Sequence, residues 1–421
     1  IIYESIKNYI YLFENKQTLS NGNTLGNLSL ISNAFHSCYL EEEQTEIHFE
    51  NLFNSGEFDY SRYIFFYINY LIEQKQFAKA KEITDQIDIL NSSLLTAQTK
   101  NWIDNKEFNK FNQIFSCKNE TDILSEFFFL ISNIYSSEDE IEKSNFYLNI
   151  SNFLNPKFHF NLSLFVENYY NSKNYRKTEK VLDDFDESDD LYYWYKIKIK
   201  TKIISQELGE EQAYNFINSK FKKIKKPSVK ILYDMANLVK SFEKHQIAIN
   251  YYNELLTKIN MNSNNYAEIL FRRGGSYERL KKFNKSDEDL LKSLEINPDE
   301  AYVLNYLAYS WLERNYKIDT AIEMLQRAYK QKTNDPFIID SVGWGYYLVN
   351  DLIKAEKFLR RAIELLPNDP IVNDHYGDIL WKMDRKIQAR YYWKSVLKFE
   401  DTEEKMKENI KFKLLKGLKI I

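Results

Sequence analysis

Turn-forming residues are scarce in this chain of 421 residues, which has ten glycines and six prolines, about 4% where average usage gives roughly 12%. So few cannot punctuate a sandwich, a barrel or a doubly wound sheet, which needs a tight turn about every 8–12 residues. A collagen-like or low-complexity chain is excluded as well. Cysteine is rarer still. Cys38 and Cys117 with five scattered histidines do not make a four-ligand zinc site or a disulfide framework, although a single bridge stays open. Charge of one sign is also missing: 57 Lys+Arg face 61 Asp+Glu, a net of −4, so there is no electrostatic footprint for nucleic acid. No apolar run approaches the length of a membrane-spanning helix. What is present is apolar matter, 44% of the chain, with 32 Tyr, 29 Phe and 6 Trp. The expectation is an all-α protein.

The prolines carry the first positional signal. Pro156, Pro227, Pro298 and Pro367 are separated by 71, 71 and 69 residues, and Pro336 and Pro370 by 34. These are one or two units of about 34–35 residues, the length of a two-helix repeat. Rows aligned on that period start at Ala267, Ala301, Pro336 and Pro370. Small residues recur at the eighth place (Gly274, Ala308, Gly343, Gly377) and the twentieth (Ala321, Ala355, Ala389), with large apolar residues between them. This pattern resembles the tetratricopeptide repeat, two antiparallel helices per unit whose small residues let the pair approach closely. Weaker rows start near Ser61, Ser93, Ser125, His159, Trp194 and Val229, about ten units in all. The predicted architecture is a tetratricopeptide-repeat right-handed superhelix, an α-solenoid of antiparallel helix pairs. Residues 1–60 are expected to be a degenerate helical repeat or cap, 61–266 divergent repeats, 267–403 well-matched repeats and 404–421 a C-terminal capping helix.

Two charged stretches mark connections. One is the acidic turn Asp183–Asp190. The other is the basic run Lys222, Lys223, Lys225 and Lys226 beside Pro227, read as a solvated turn or a patch for an acidic partner. The polar last helix also admits a membrane-surface or partner role. The chain begins Ile-Ile-Tyr, so a processed form or a fragment is expected, and any signal peptide or lipid anchor would lie upstream.

No catalytic constellation emerges. There is no G-x-S-x-G elbow and no phosphate-binding loop, and Gly343-Trp344-Gly345 falls inside a predicted helix. No cofactor and no metal is expected. The nearest cluster is Asp374, His375 and Asp378, with the two carboxylates on one helix face. A hydrolase using these three residues is the remote alternative; structural carboxylates beside a packed histidine are the plainer one.

In this repeat pattern the inner face is lined by places 2, 5, 9, 12 and 13 of each first helix. They include Tyr302, Asn305 and Tyr309 in one unit. The next two contribute Phe337, Asp340, Trp344 and Tyr347, then Ile371, Asp374, Asp378 and Trp381. Tyr309, Trp344, Tyr347 and Trp381 exceed what the core places require. They are either a binding surface or packing between neighbouring units. The candidate protein-binding residues are Tyr302, Asn305, Tyr309, Asp340, Trp344, Tyr347, Asp374, Asp378 and Trp381. The carboxylates among them imply a neutral to basic, partly apolar segment.

The runs Phe271-Arg272-Arg273-Gly274, Leu304–Trp311, Asp340-Ser341-Val342-Gly343-Trp344 and Asn373–Asp378 resemble large tetratricopeptide proteins of Gram-negative bacteria. Many of these are envelope proteins, and the better-understood relatives act as non-enzymatic adaptors for other envelope proteins. The resemblance covers residues 267–399 and implies a scaffold that binds a protein or peptide partner, on the periplasmic side of the envelope and with possible membrane anchoring through a missing N-terminus. It transfers no catalytic residue. The alternative is a structural tether spacing an N-terminal anchor from the C-terminal helix.

Overall fold

The computed structural model describes residues 2–18, 28–54 and 60–418. Residues 19–27 and 55–59 of the expected N-terminal segment, and 419–421 of the expected last helix, lie outside the described residues. Among the described residues regular structure is helical throughout. Three helices come first: α1 (Ile2–Asn15), α2 (Leu28–Tyr39) and α3 (Thr45–Asn54). First and second helices then alternate: α4 (Tyr63–Glu73) and α5 (Phe77–Asp85), α6 (Leu94–Asp104) and α7 (Asn109–Ile114), α8 (Glu120–Ser137) and α9 (Ile141–Leu154). They continue with α10 (Leu162–Asn171) and α11 (Tyr175–Leu182), α12 (Asp190–Leu208) and α13 (Glu210–Phe221), α14 (Val229–Ser241) and α15 (His245–Leu256). The last are α16 (Asn264–Arg279) and α17 (Phe283–Ile296), α18 (Ala301–Glu313) and α19 (Ile318–Gln331), α20 (Pro336–Leu348) and α21 (Leu352–Leu365), α22 (Pro370–Lys382) and α23 (Lys386–Val396). A single helix, α24 (Glu404–Lys416), follows.

The row starts read from the period all fall on or beside first helices. Val229, Ala301, Pro336 and Pro370 are the first residues of α14, α18, α20 and α22. The largest offset is at Ser125, where α8 begins at Glu120. All six prolines lie at junctions. Pro336 and Pro370 occupy the first helical turn, preceded by the capping carboxylates of Asp335 and Asp369, because a missing N–H costs nothing there.

The turns between first and second helices explain the shortage of glycine more fully than the repeat length does. Nine of these turns place a residue other than glycine at positive φ: Lys75, Lys106, Asp139, Lys173, Glu243, Lys281, Asn315, Asn350 and Asp384. Each costs roughly 1–2 kcal/mol relative to glycine-compatible geometry. Paired backbone bonds offset that cost. After α20, for example, Asn350 N–H donates to Tyr347 O (3.1 Å) and Asp351 N–H to Tyr346 O (3.0 Å), satisfying carbonyls that a helix end would leave bare. Only the turn after α12 uses glycine, Gly209 at φ +95°.

The chain divides into two compact units, residues 1–238 and 239–421. In unit 1 one continuous core runs from Tyr9 to Ile203 and is rich in aromatic rings. Phe66 and Phe115 stand 4.6 Å apart, Phe65 and Phe158 5.3 Å. Residues far apart in sequence are tied together here. Arg62 donates to both oxygens of buried Glu126 (2.8 and 2.7 Å) and to Asn161 (2.7 Å). Cys38 and Cys117 are bridged, their Cα atoms 5.9 Å apart across 79 residues. The acidic turn is structural: Asp183 and Glu187 hold the buried ammonium of Lys196 (2.9 and 2.7 Å), and Asp189 caps α12. The basic run Lys222–Lys226 lies in the connection between α13 and α14.

Unit 2 is a ladder of similar pairs. Gly343 sits so close to α21 that an added Cβ would lie 2.6 Å from Leu359 Cγ, and one on Gly377 would overlap the Trp393 indole. The small residues at the twentieth place, Ala321, Ala355 and Ala389, are fully buried.

Candidate interaction surface

The fifth place of successive first helices holds Asn305, Asp340 and Asp374. Asn305 is half-buried, and both carboxylates are buried. Burying a charge requires a partner, and each carboxylate takes one from the next helix of the stack. His375 on α22 approaches Asp340 Oδ2 through Nδ1 at 2.8 Å. Lys413 on α24 donates to Asp374 (2.6 Å) and to both oxygens of Asp378 (2.8 and 2.9 Å). Trp393 Nε1 adds a third hydrogen bond to Asp378 at 3.0 Å. Burial would lower the pKa of His375, but Asp340, assisted by Asp374 and Asp378, outweighs it and the net direction is upward. Burial and Asp374 hold Asp378 above the ordinary carboxylate range, against the pull of Lys413. The cluster Asp374, His375 and Asp378 therefore divides into two separate pairings, His375 with Asp340 and the two aspartates with Lys413.

The surplus aromatics mostly pack between neighbouring units. Trp344 stacks on His375 of the next unit, centroids 4.0 Å apart and planes 13° off parallel. On its own helix it stacks on Tyr347 (4.6 Å, 11°), and its indole N–H donates to Glu313 (3.0 Å). Tyr347 is buried, with Lys382 4.2 Å from its ring centre. Tyr309 is half-buried near His375, ring centres 6.5 Å apart. Trp381 packs against Trp393 at 5.2 Å and is covered by Gly417. There φ is +75° and a Cβ would collide with the indole, so only glycine can pass.

The second place behaves differently. Tyr302, Phe337 and Ile371 are 47%, 56% and 49% exposed. Each stands two residues after the acidic cap of its helix, Glu300, Asp335 or Asp369, which accepts its backbone N–H. Of this row only Tyr302 stood among the candidate residues. The signal for the others was in the sequence as a recurring tripeptide, Glu-Ala-Tyr at 300–302, Asp-Pro-Phe at 335–337 and Asp-Pro-Ile at 369–371. It places a cap and a solvent-facing apolar residue once per unit.

Unit 1 contains a cavity of about 420 Å³ lined in part by Arg62, Glu167, Trp194, Lys198, Lys230 and Asp234. Most of its charges satisfy one another. Asp234 accepts from Lys198 (2.7 Å) and Trp194 Nε1 (3.1 Å) and faces Lys230 (3.2 Å). Among the described residues no group of three or more His, Cys, Asp or Glu side chains is arranged to hold a metal ion, and no helix is long and apolar enough to cross a membrane.

Residues 267–300, spanning α16, α17 and the following turn, match the tetratricopeptide repeat family. This segment is therefore similar to a single tetratricopeptide repeat. A TPR repeat-containing protein of Pseudomonas aeruginosa is 33% identical over 110 residues, 26% of this chain. The match spans 18% of that relative's length. Among solved structures, a tetratricopeptide repeat protein from Parabacteroides merdae covers 68% of this chain and 97% of its own, at 16% identity and a TM-score of 0.42. A thermophilic TPR protein from Thermus thermophilus covers 45% of this chain and all of its own, at 16% identity and a TM-score of 0.39. Tetratricopeptide repeats in general mediate protein–protein contacts.

Proposed function

We propose that this tetratricopeptide-repeat chain is a non-catalytic scaffold that binds a protein segment along the first-helix face of unit 2. Three successive first helices each expose a large apolar side chain beside an acidic cap, and this row of Tyr302, Phe337 and Ile371 is the observation that carries the reading. An extended segment with apolar side chains at matching intervals and basic residues between them would bury the row and face the carboxylates. The partner is thus neutral to basic and partly apolar. Of the inner residues, Asn305, Tyr309, Trp344 and Trp381 would border such a segment. Asp340, Tyr347, Asp374 and Asp378 act beneath it by holding the helices in register.

The test is a variant with Tyr302→Ser, Phe337→Ser and Ile371→Ser, compared with the parent chain by in-cell crosslinking and mass spectrometry. These side chains are exposed, so helical content and melting should be unchanged while the captured partner is lost. Retention of the same partner at the same yield would overturn the assignment.

A further inference from the structure

The second helices of the last two pairs present an outward face unlike that of the pair before them. On α23 the side chains opposite buried Ala389, Trp393 and Val396 are Ile387, Tyr391 and Lys394, with Lys398 just beyond the helix end. Ile387 is 88% exposed and Tyr391 67%. At the same places 34 residues earlier, α21 carries Ile353, Lys357, Arg360 and Glu364, and Ile353 is 81% exposed. On α19 those places hold Asp319, Glu323, Gln326 and Lys330. The change is therefore local, and repeat geometry does not require it.

Charge changes with it. From Arg385 to Phe399 there are five cations and no carboxylate, in a chain whose net charge is −4. On α21, Arg360 and Arg361 reach Glu356 and Glu364 only loosely, at 3.9 and 3.6 Å. Lys357, Lys394 and Lys398 have no carboxylate partner among the described residues. Arg385 reaches Glu356 at 3.3 Å and ties the start of α23 to α21, so the two faces adjoin.

We propose that the outward face of α21 and α23 docks on an anionic lipid surface. Lys357, Arg360, Lys394 and Lys398 would meet the headgroups, Ile353 and Ile387 would enter the acyl boundary, and Tyr391 would sit at the interface. Isolated aliphatic tips flanked by cations, Lys354 and Lys357 beside Ile353 and Lys386 and Arg390 beside Ile387, suit a fluid apolar layer behind a plane of negative charge, which receives each tip independently. A protein partner would have to supply a separate hole for each isoleucine. The amphipathic lysines can keep their ammonium groups in the headgroup layer while their stems follow the isoleucines inward.

The experiment is co-sedimentation of the full chain with phosphatidylcholine vesicles containing about 30 mol % phosphatidylglycerol, against pure phosphatidylcholine. Binding is expected only to the anionic vesicles and should fall severalfold between about 0.1 M and 0.5 M salt. Ile353→Ser with Ile387→Ser should weaken it about tenfold, and Lys357→Glu with Lys394→Glu should abolish it. The control Glu323→Gln on α19 should change nothing. All these positions are exposed, so circular dichroism and melting verify that each variant is folded. Absence of vesicle binding would overturn the proposal. So would vesicle binding indifferent to the isoleucines, or equal binding to soluble polyglutamate, which would mark a generic basic surface or an acidic protein partner instead.

Discussion

In unit 2 the eighth and twentieth places of the pairs hold Ala308 and Ala321, Gly343 and Ala355, Gly377 and Ala389, and the two glycines lie against Leu359 and Trp393 of their second helices. In unit 1 the corresponding places of α8 and α9 hold Ser132 with Ser144, and the hydroxyl of Ser132 donates to the Ser144 carbonyl at 2.8 Å. Nearby, Ser125 and Ser151 exchange hydroxyl-to-carbonyl bonds, each 2.8 Å. Both solutions bring backbones close, one by omitting side chains and the other by making a small polar side chain serve as glue. The larger difference is reach. The farthest-reaching side-chain hydrogen bond described in unit 2, Lys413 to Asp374, joins residues 39 apart. Unit 1 uses bonds such as Arg62 to Asn161 and Lys230 to the Leu90 carbonyl, 99 and 140 residues apart. Where each helix pair leans only on its neighbours, every pair must repeat the same small residues. Where distant segments also hold one another, the repeat can decay without losing the fold.

The sharpest way to break this contrast is to cut a distant tie in unit 1. Replacing Cys38 and Cys117 by serine frees a 79-residue loop, which loop-closure entropy values at about 4 kcal/mol. The loss should appear in hydrogen exchange across α1–α9 and leave α16–α23 protected. Loosening that spreads equally through unit 2 would contradict the division. Next in size is Lys413→Met, which leaves two carboxylates buried without their cation at a cost of about 3 kcal/mol. Because contacts in unit 2 are local, exchange should rise in α22–α24 and hardly change in α16–α18.

The smallest effect concerns pH. His375 has its proton affinity raised in the native state by Asp340, so its contribution is fully present below the ordinary histidine value and is lost as pH rises through the native value. Asp378 is also displaced upward. It too makes the native state bind more protons than the unfolded one, so both groups make stability fall with rising pH. The stability that these two groups contribute to unit 2 should be smaller at pH 8 than at pH 6. His375→Gln should flatten the difference, and an imidazole titration by NMR with a midpoint below that of a free histidine would refute the sign.

Much of the fold is legible in the sequence. Spacing of prolines and small residues located the first helices even where the row at Trp194 matched the repeat poorly, because a helix pair closes through contacts a fixed number of residues apart. The candidate surface was less legible. Place numbers put Asp340, Asp374 and Asp378 on the inner face, but such an address does not say what lies on top of it. Lys413 is 35 residues beyond Asp378, on a helix whose lysines all look alike in sequence. Phe337 and Ile371 also hold inner-face places, but nothing in the place numbers marks them as an exposed row. The core places drew attention to the aromatic excess, and these side chains were exposed through their position after a cap.

The amino-acid sequence alone determined that the chain is helical, where its turns fall and which residues bring paired helices together, since all three follow from local periodicity and the scarcity of turn-formers. That scarcity proved deeper than one turn per unit, as nine turns do without glycine. Only the tertiary structure decided which inner carboxylates are already neutralised, which aromatics stack between units and which isoleucines stand in water. Burial of a charge or a ring depends on the neighbour that arrives above it, and periodicity carries no information about that neighbour.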